Sequence, residues 1–211
     1  MNVIETKKMM LLVANGMVDK EPILTKFDQA IGDGDHGIGI ERGFSNVSAY
    51  IEEDFDAADV GDVMVKIGTK LMSTMGGASG AIFGTLFRTG GKAILGEKEL
   101  TTDVLAVFLN AGLEGIYKRG GAAIGAKTMI DALVPAMESA KALSGQPLAE
   151  ALIVIQKSAH DGVENTKSMI ATTGKAKTLG ERSLGHPDPG AMSMAYIMEF
   201  MSDYAQSKVE A

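Results

Sequence analysis

The sequence predicts an all-α fold, an antiparallel bundle of eight helices. Three observations carry that reading. Apolar residues recur at three- and four-residue steps through segments of four or five turns. Ala, Met and Leu are abundant while aromatic residues make up only 5% and Trp is absent, a balance that favours helices over strands. Short connections join the segments, which sets consecutive helices side by side.

The periodic segments run 3–18, 37–53, 59–74, 79–95, 102–118, 128–143, 147–168 and 190–207. The first holds an apolar run from Met9 to Val13, followed by Asn15 and Asp19, too short and too polar for a signal peptide or a membrane span. In 102–118 the stripe is Leu105, Phe108, Leu109 and Ile116. The segment at 147 opens on Pro147 in a first-turn position and continues through Leu148, Leu152, Ile155 and Ala159. Leu152 to Ile155 alone would suit a buried strand, but the flanks keep the helical period. The last segment repeats Ile197, Met201 and Tyr204 beside Met194 and Met198. Between 169 and 189 no helical pattern is found, and this long connection carries Lys175, Lys177 and Arg182; loops of that length in compact domains are usually functional or mobile.

The chain of 211 residues is read as one domain, 1–211. It has no cysteine, which excludes disulfides, thiolate metal sites and cysteine catalysis. A net charge of -7 gives no general attraction to nucleic acid or to an anionic membrane, so neither is expected as a partner. With no targeting segment, a cytoplasmic location is expected. Any bound phosphate would have to find its positive charge locally, from backbone amides, helix ends or metal cations.

The 26 glycines are concentrated in FDQAIGDGDHGIG, MGGASGA, RGGAAIGAKTM, TGKAKTLGERS and LGHPDPGAM, each beside an expected helix start. Asp28, Asp33 and Asp35 stand in the first of these. Asp and Gly are ordinary turn residues, and a solvated connection would account for a lone DGD triplet. Three close carboxylates would otherwise call for a cation, and oxygen-only ligands suit Mg2+ or Ca2+. An EF-hand fails, because counting from Asp33 puts Gly37 and Phe44 where Asp or Asn and Glu are required. A Walker P-loop fails as well: Ala126 separates the glycine of Gly120–Gly125 from Lys127 and Thr128, and no strand precedes it.

GGASG at 76–80 would serve as an anion-receiving helix start with Ser79 as donor, or as simple crowding of helices by small residues. DPGA at 188–191 is a helix start with Asp188 as N-cap and Pro189 at the first turn. His36 follows the aspartates, where a nucleophile, a general base or a hydrogen bond to a ligand are all open readings. His160 falls inside a helix as a polar residue, and His186 in the last loop has no assigned role. Together the acidic and basic glycine corners suggest one pocket at an end of the bundle, suited to a metal–diphosphate ligand met by Lys175 or Arg182.

IGDGDHG at 31–37 with Asp28 upstream, RGF at 42–44, GGASG at 76–80, KTM at 127–129 and LGERSLGHPDPGA at 179–191 resemble the nucleotide-binding L-subunit family of dihydroxyacetone kinases, in order and over nearly the whole chain. The resemblance implies an eight-helix antiparallel barrel with ADP at one end. It implies that Asp28, Asp33 and Asp35 hold two Mg2+ ions bridging the nucleotide phosphates. It places His36, Gly37, Ile38, Gly39, Ala78, Ser79, Gly120, Met129, Asp188, Pro189 and Gly190 against the nucleotide, with Lys175 in the basic loop. The family carries Arg where Lys175 stands and Asp where Ala126 stands, and Lys keeps the charge without the bidentate fork.

The function implied is a kinase subunit with no catalytic residue of its own. Bound ADP/ATP donates a phosphoryl group to dihydroxyacetone on a separate K subunit, and a phosphotransferase-system M subunit recharges the ADP in place. The stand-alone length favours this branch. Two alternatives remain open: the nucleotide subunit of an ATP-dependent ketotriose or ketotetrose kinase, and a regulatory module of the same fold that binds a transcription regulator.

Overall fold

The computed structural model describes residues 1–120 and 122–209. Among them the helices are α1 (Val3–Asp19), α2 (Glu21–Ile31), α3 (His36–Glu52), α4 (Val60–Thr74), α5 (Gly77–Ala93), α6 (Thr102–Arg119), α7 (Ile130–Ala142), α8 (Leu148–Thr166) and α9 (Pro189–Val209). A 3-10 segment, Lys175–Ser183, lies between α8 and α9. Among the described residues there is no strand, only an isolated bridge between Asn2 and Glu99.

Each of the eight segments expected from the sequence falls on one of these helices. Packing neighbours run α1, α3, α4, α5, α6, α7, α8, α9 and back to α1, so eight staves close on one another. Their inward faces form one apolar cluster in which methionines, among them Met9, Met10, Met17, Met64 and Met194, fill space that aromatic rings occupy in other cores.

Helix α2 is the difference from expectation. It stands outside the ring, against α3, α9 and the 3-10 segment. Its buried stripe is Leu24, Asp28 and Ile31, at helical spacing but with a carboxylate in the middle. That substitution of Asp for an apolar residue hides the period and makes the segment read as a connection. Asp28 is therefore a helix residue, held more rigidly than a turn would hold it.

Close approach explains many of the glycines. Along the α4–α5 contact, Gly61 and Gly68 face Gly84 and Gly91, each pair two turns apart on its helix. A Cβ on Gly91 would sit 2.7 Å from the Val65 nitrogen and 2.8 Å from the Gly61 carbonyl oxygen. These are backbone atoms that cannot step aside without moving a helix. Gly91→Ala is expected to cost about 1–3 kcal/mol and to lower Tm by roughly 3–10 °C, read by calorimetry. An unchanged Tm would mean that the helices tolerate a wider separation.

The two ends of the ring differ. At one end, the Met1 carbonyl accepts from the Leu100 N–H at 2.7 Å, the Val60 N–H donates to Glu97, and the Thr102 hydroxyl donates to Gln146. Helices α1, α4 and α6 begin there, each with a side-chain cap, from Asn2, Asp59 and Thr101. Helices α3, α5, α7 and α9 begin at the opposite end, where the glycine corners lie.

Candidate functional site at the convergence of four helix starts

A pocket of about 480 Å3 opens at that second end. The first residues of α3, α5 and α9 line it, as does Met129 immediately before α7. The residues before α3, α5 and α7 give no side-chain cap, although the Asp28 carboxylate accepts from the His36 N–H at the start of α3 and the Thr128 hydroxyl accepts from the Ile130 N–H at the start of α7. Four positive dipole ends directed at one cavity, with N–H groups available at the starts of α3 and α5, make it receptive to an anion although the chain is acidic. Gly76, at φ +75, gives the tight entry into α5, and Arg42 seals the preceding helix by donating to the Thr74 carbonyl at 3.0 Å and to that of Met75.

On the rim, one carboxylate oxygen each from Asp28, Asp33 and Asp35 lies within 4.8 Å of the others. Asp28 is buried and accepts from the His36 N–H at 3.1 Å; Asp33 and Asp35 are exposed. Gly34, at φ +79, turns the chain so that both outer carboxylates face the same way. Lys175 joins them, contacting Asp33 and lying 2.9 Å from Asp35. The Lys175 hydrogen bond holds the Asp33 carboxyl below the usual range, and the two aspartates hold the Lys175 ammonium above its own. The all-oxygen donor set, with a cation already drawn to it, fits Mg2+ rather than a softer metal.

His36 ties three helices together. Its Nδ1 lies 3.1 Å from the Ser79 hydroxyl on α5, and its Nε2 lies 2.8 Å from the Ser193 hydroxyl on α9. Ser193 donates to the Pro189 carbonyl, so its oxygen receives the Nε2 proton and Nδ1 accepts from Ser79. Burial pushes the His36 pKa down, against the pull of Asp28 and Asp35, which keeps the ring neutral. With both nitrogens engaged, the ring acts as a brace between the helix starts.

The wall between α7 and α9 is built on Lys127, which is 2% exposed and adopts φ +62, an uncommon backbone conformation for a side chain of this size. Its ammonium donates to the carbonyls of Thr166 at 2.7 Å, His186 at 2.6 Å and Met169 at 3.3 Å. Asp131 fixes the loop before α7 by accepting from the N–H groups of Gly125 and Thr128, at 2.5 and 2.8 Å. Asp188 caps α9 through the Ala191 N–H at 2.7 Å, as its sequence context predicts.

Burial raises the Asp188 pKa to about 7, with Asp131 acting in the same direction and the Ala191 N–H and Lys127 opposing. The folded chain then keeps this proton up to about pH 7, whereas the unfolded chain releases it near pH 4. The resulting stabilisation is complete below about pH 4 and is lost as pH rises to about 7. Asp188→Asn keeps the cap and removes the titration. Between pH 5 and pH 8 the wild type is expected to lose roughly 2 kcal/mol relative to this variant, measured by urea unfolding. Parallel pH profiles would show that Asp188 is ionised throughout.

The pocket gathers most of the residues singled out in the sequence: Asp28, Asp33, Asp35, His36, Ile38 and Gly39 from the first corner, and Ala78 and Ser79 from α5. Met129, Lys175, Asp188, Pro189 and Gly190 complete them. Gly37 and Gly120 are not among its described lining residues. Gly37 instead lets α3 approach α2, where a Cβ would sit 2.5 Å from the Glu21 carbonyl oxygen, and Gly120 ends α6 at φ +81. Sequence reasoning missed Asp131 and Ser193, and gave no role to Lys127 or to Arg42 of the quoted RGF string. Lys127 stood in the quoted KTM string, but its burial leaves no mark in the sequence.

The ring of eight staves, with an acidic triad and four helix starts gathered on a pocket at one end, defines an all-α barrel domain. The chain belongs to the DAK2 domain family, whose model matches residues 30–203. It is 39% identical over 181 residues to the PEP-dependent dihydroxyacetone kinase ADP-binding subunit DhaL of Escherichia coli K12, covering 85% of this chain and 86% of that one. It is 40% identical over 183 residues to the corresponding subunit of kinase 1 of Listeria innocua, covering 87% of each. The L-erythrulose 1-kinase of Mycolicibacterium smegmatis is 31% identical over 88% of this chain and 33% of its own length. The crystal structure of the dihydroxyacetone kinase of C. freundii in complex with AMP-PNP and Mg2+ gives a TM-score of 0.73 at 27% identity, covering 94% of this chain and 33% of that one. Among the described residues no helix is long and apolar enough to cross a membrane.

Proposed function

We propose that the chain is the nucleotide-carrying subunit of a dihydroxyacetone kinase, a single domain over 1–211 acting in the cytoplasm. The observation that carries this reading is the meeting of four helix starts and three carboxylates on one pocket. That pairing suits a ligand that is anionic and brings its own divalent cations, as a nucleoside di- or triphosphate does. Likeness to the E. coli and Listeria ADP-binding subunits over most of both chains supports the assignment.

In this reading Asp28, Asp33 and Asp35 hold two Mg2+ ions, which neutralise charge on the bridging and transferring phosphate oxygens. The N–H groups at the starts of α3 and α5 receive the phosphates, with Ser79 and Lys175 beside them. Ile38, Ile82, Phe83 and Met129 offer an apolar wall to the base. His36 keeps the helix starts in register, and Asp188, largely protonated below pH 7, adds little repulsion toward an anion. The chain's residues position the nucleotide; the sugar is held by a K subunit, and an M subunit of the phosphotransferase system restores the donor. The M. smegmatis kinase suggests a second reading, a nucleotide domain for an ATP-using ketotetrose kinase. The higher identity to stand-alone subunits over most of their length favours the first.

The test is calorimetric titration with ADP in Mg2+ and in EDTA. Binding is expected to weaken at least about 100-fold without the metal, and saturating Mg-ADP is expected to stabilise the fold by about 3 kcal/mol at 100 times Kd. Equal affinity in both buffers would rule out a metal-bridged nucleotide.

A further inference from the structure

The connection between α8 and α9 is a strap, closed at its base and fastened at its tip. At the base, the Gly185 N–H donates to the Lys167 carbonyl at 2.8 Å. The Lys127 ammonium holds the carbonyls of Met169 and His186, one from each leg of the strap. Further in, the Ala171 N–H donates to the buried Ser183 hydroxyl at 3.1 Å. Gly174 at φ +65 and Gly180 at φ +54 flank the tip and permit backbone conformations that other residues resist. There Lys175 crosses to the connection between α2 and α3 and touches Asp33 and Asp35 together.

The Lys175 side chain is 58% exposed and its two partners are 49% and 70% exposed. Ion pairs so open to water are weak and exchange readily. They are also directional in consequence: an ammonium and a divalent cation cannot occupy the same carboxylate oxygens. A strap anchored firmly at its base and weakly at its tip is suited to releasing that tip alone.

We propose that Lys175 is a built-in placeholder for the divalent cation, latching the strap onto Asp33 and Asp35 in the nucleotide-free chain and competing with a metal ion for those oxygens. This rests on reading the triad as the Mg2+ site. Apparent affinity for metal alone is lowered by the latched fraction of the protein. A nucleotide lifts that handicap, because its phosphates give the released ammonium another partner. Metal and nucleotide therefore bind as a pair, and metal alone binds poorly.

The probe is Mn2+, added to nucleotide-stripped protein and followed by loss of the free-ion EPR signal. Lys175→Met is expected to bind Mn2+ about tenfold more tightly than wild type, or better. Lys177→Met removes the same charge from an exposed position on the same strap, and its affinity is expected to stay within about twofold of wild type, since a more distant exposed charge is screened. With saturating ADP the gap between wild type and Lys175→Met should narrow. Equal Mn2+ affinity in wild type and Lys175→Met, or an equal gain in both variants, would overturn the latch while leaving the metal site standing. Failure of all three proteins to bind Mn2+, with or without ADP, would remove the metal reading itself and the latch with it.

Discussion

Asp33→Asn is expected to weaken Mg-ADP binding at least about 100-fold and to abolish phosphoryl transfer with partner subunits, while helix content stays as in wild type. Asp33 sits in the connection between α2 and α3 and is exposed, so the replacement removes a charge without opening a hole in the core. What it changes is the donor set. Two carboxylates remain, and the amide that replaces the third is a neutral oxygen donor to a hard cation. Asp28→Asn should show a similar loss of binding together with some loss of stability, because Asp28 is buried and orients the first turn of α3 through the His36 N–H. Circular dichroism and calorimetric titration on the same samples separate the two effects. Kinase activity surviving in Asp33→Asn would show that the triad is not the metal site.

The second large effect is on the fold. Lys127→Met is expected to destabilise the chain by about 3 kcal/mol, the cost of leaving buried polar groups and a carboxylate without their cation. For a chain of this size that corresponds to a fall in Tm of roughly 6–12 °C by calorimetry. The methionine stem fills nearly the same space, so lost packing contributes little. Three carbonyls lose their donor, from the end of α8, from the strap and from the loop before α9. The nearby Asp131 and Asp188 lose the positive charge that opposed their burial. A Tm within about 2 °C of wild type would mean that the carbonyls find other donors at little cost.

How much of this was legible in the sequence varied with the kind of signal. The eight staves were, because each buries an apolar stripe against neighbours on both sides. Helix α2 was not, since its stripe is interrupted by Asp28, the residue that gives the helix its place in the site. The 3-10 segment likewise buries only Ser183 and leaves no apolar period to read. The pocket was legible as a set of glycine corners, because the glycines mark the tight entries into helix starts. Gly37 shows the limit of that signal: it marks a close approach of two helices, not a ligand contact. Lys127 shows another, since a lysine buried among carbonyls cannot be told from a solvated one until the chain is folded. The placement of Lys175 on Asp33 and Asp35 depends on contacts across 142 and 140 residues of sequence.

Native mass spectrometry on the purified protein, after extensive dialysis into Mg2+ buffer, tests the central claim most directly. The account predicts a mass above that of the bare chain by one ADP and two Mg2+, retained through dialysis and lost on treatment with EDTA. A chain that stays at its bare mass, and that takes up neither ADP nor ATP when these are added with Mg2+, would contradict it.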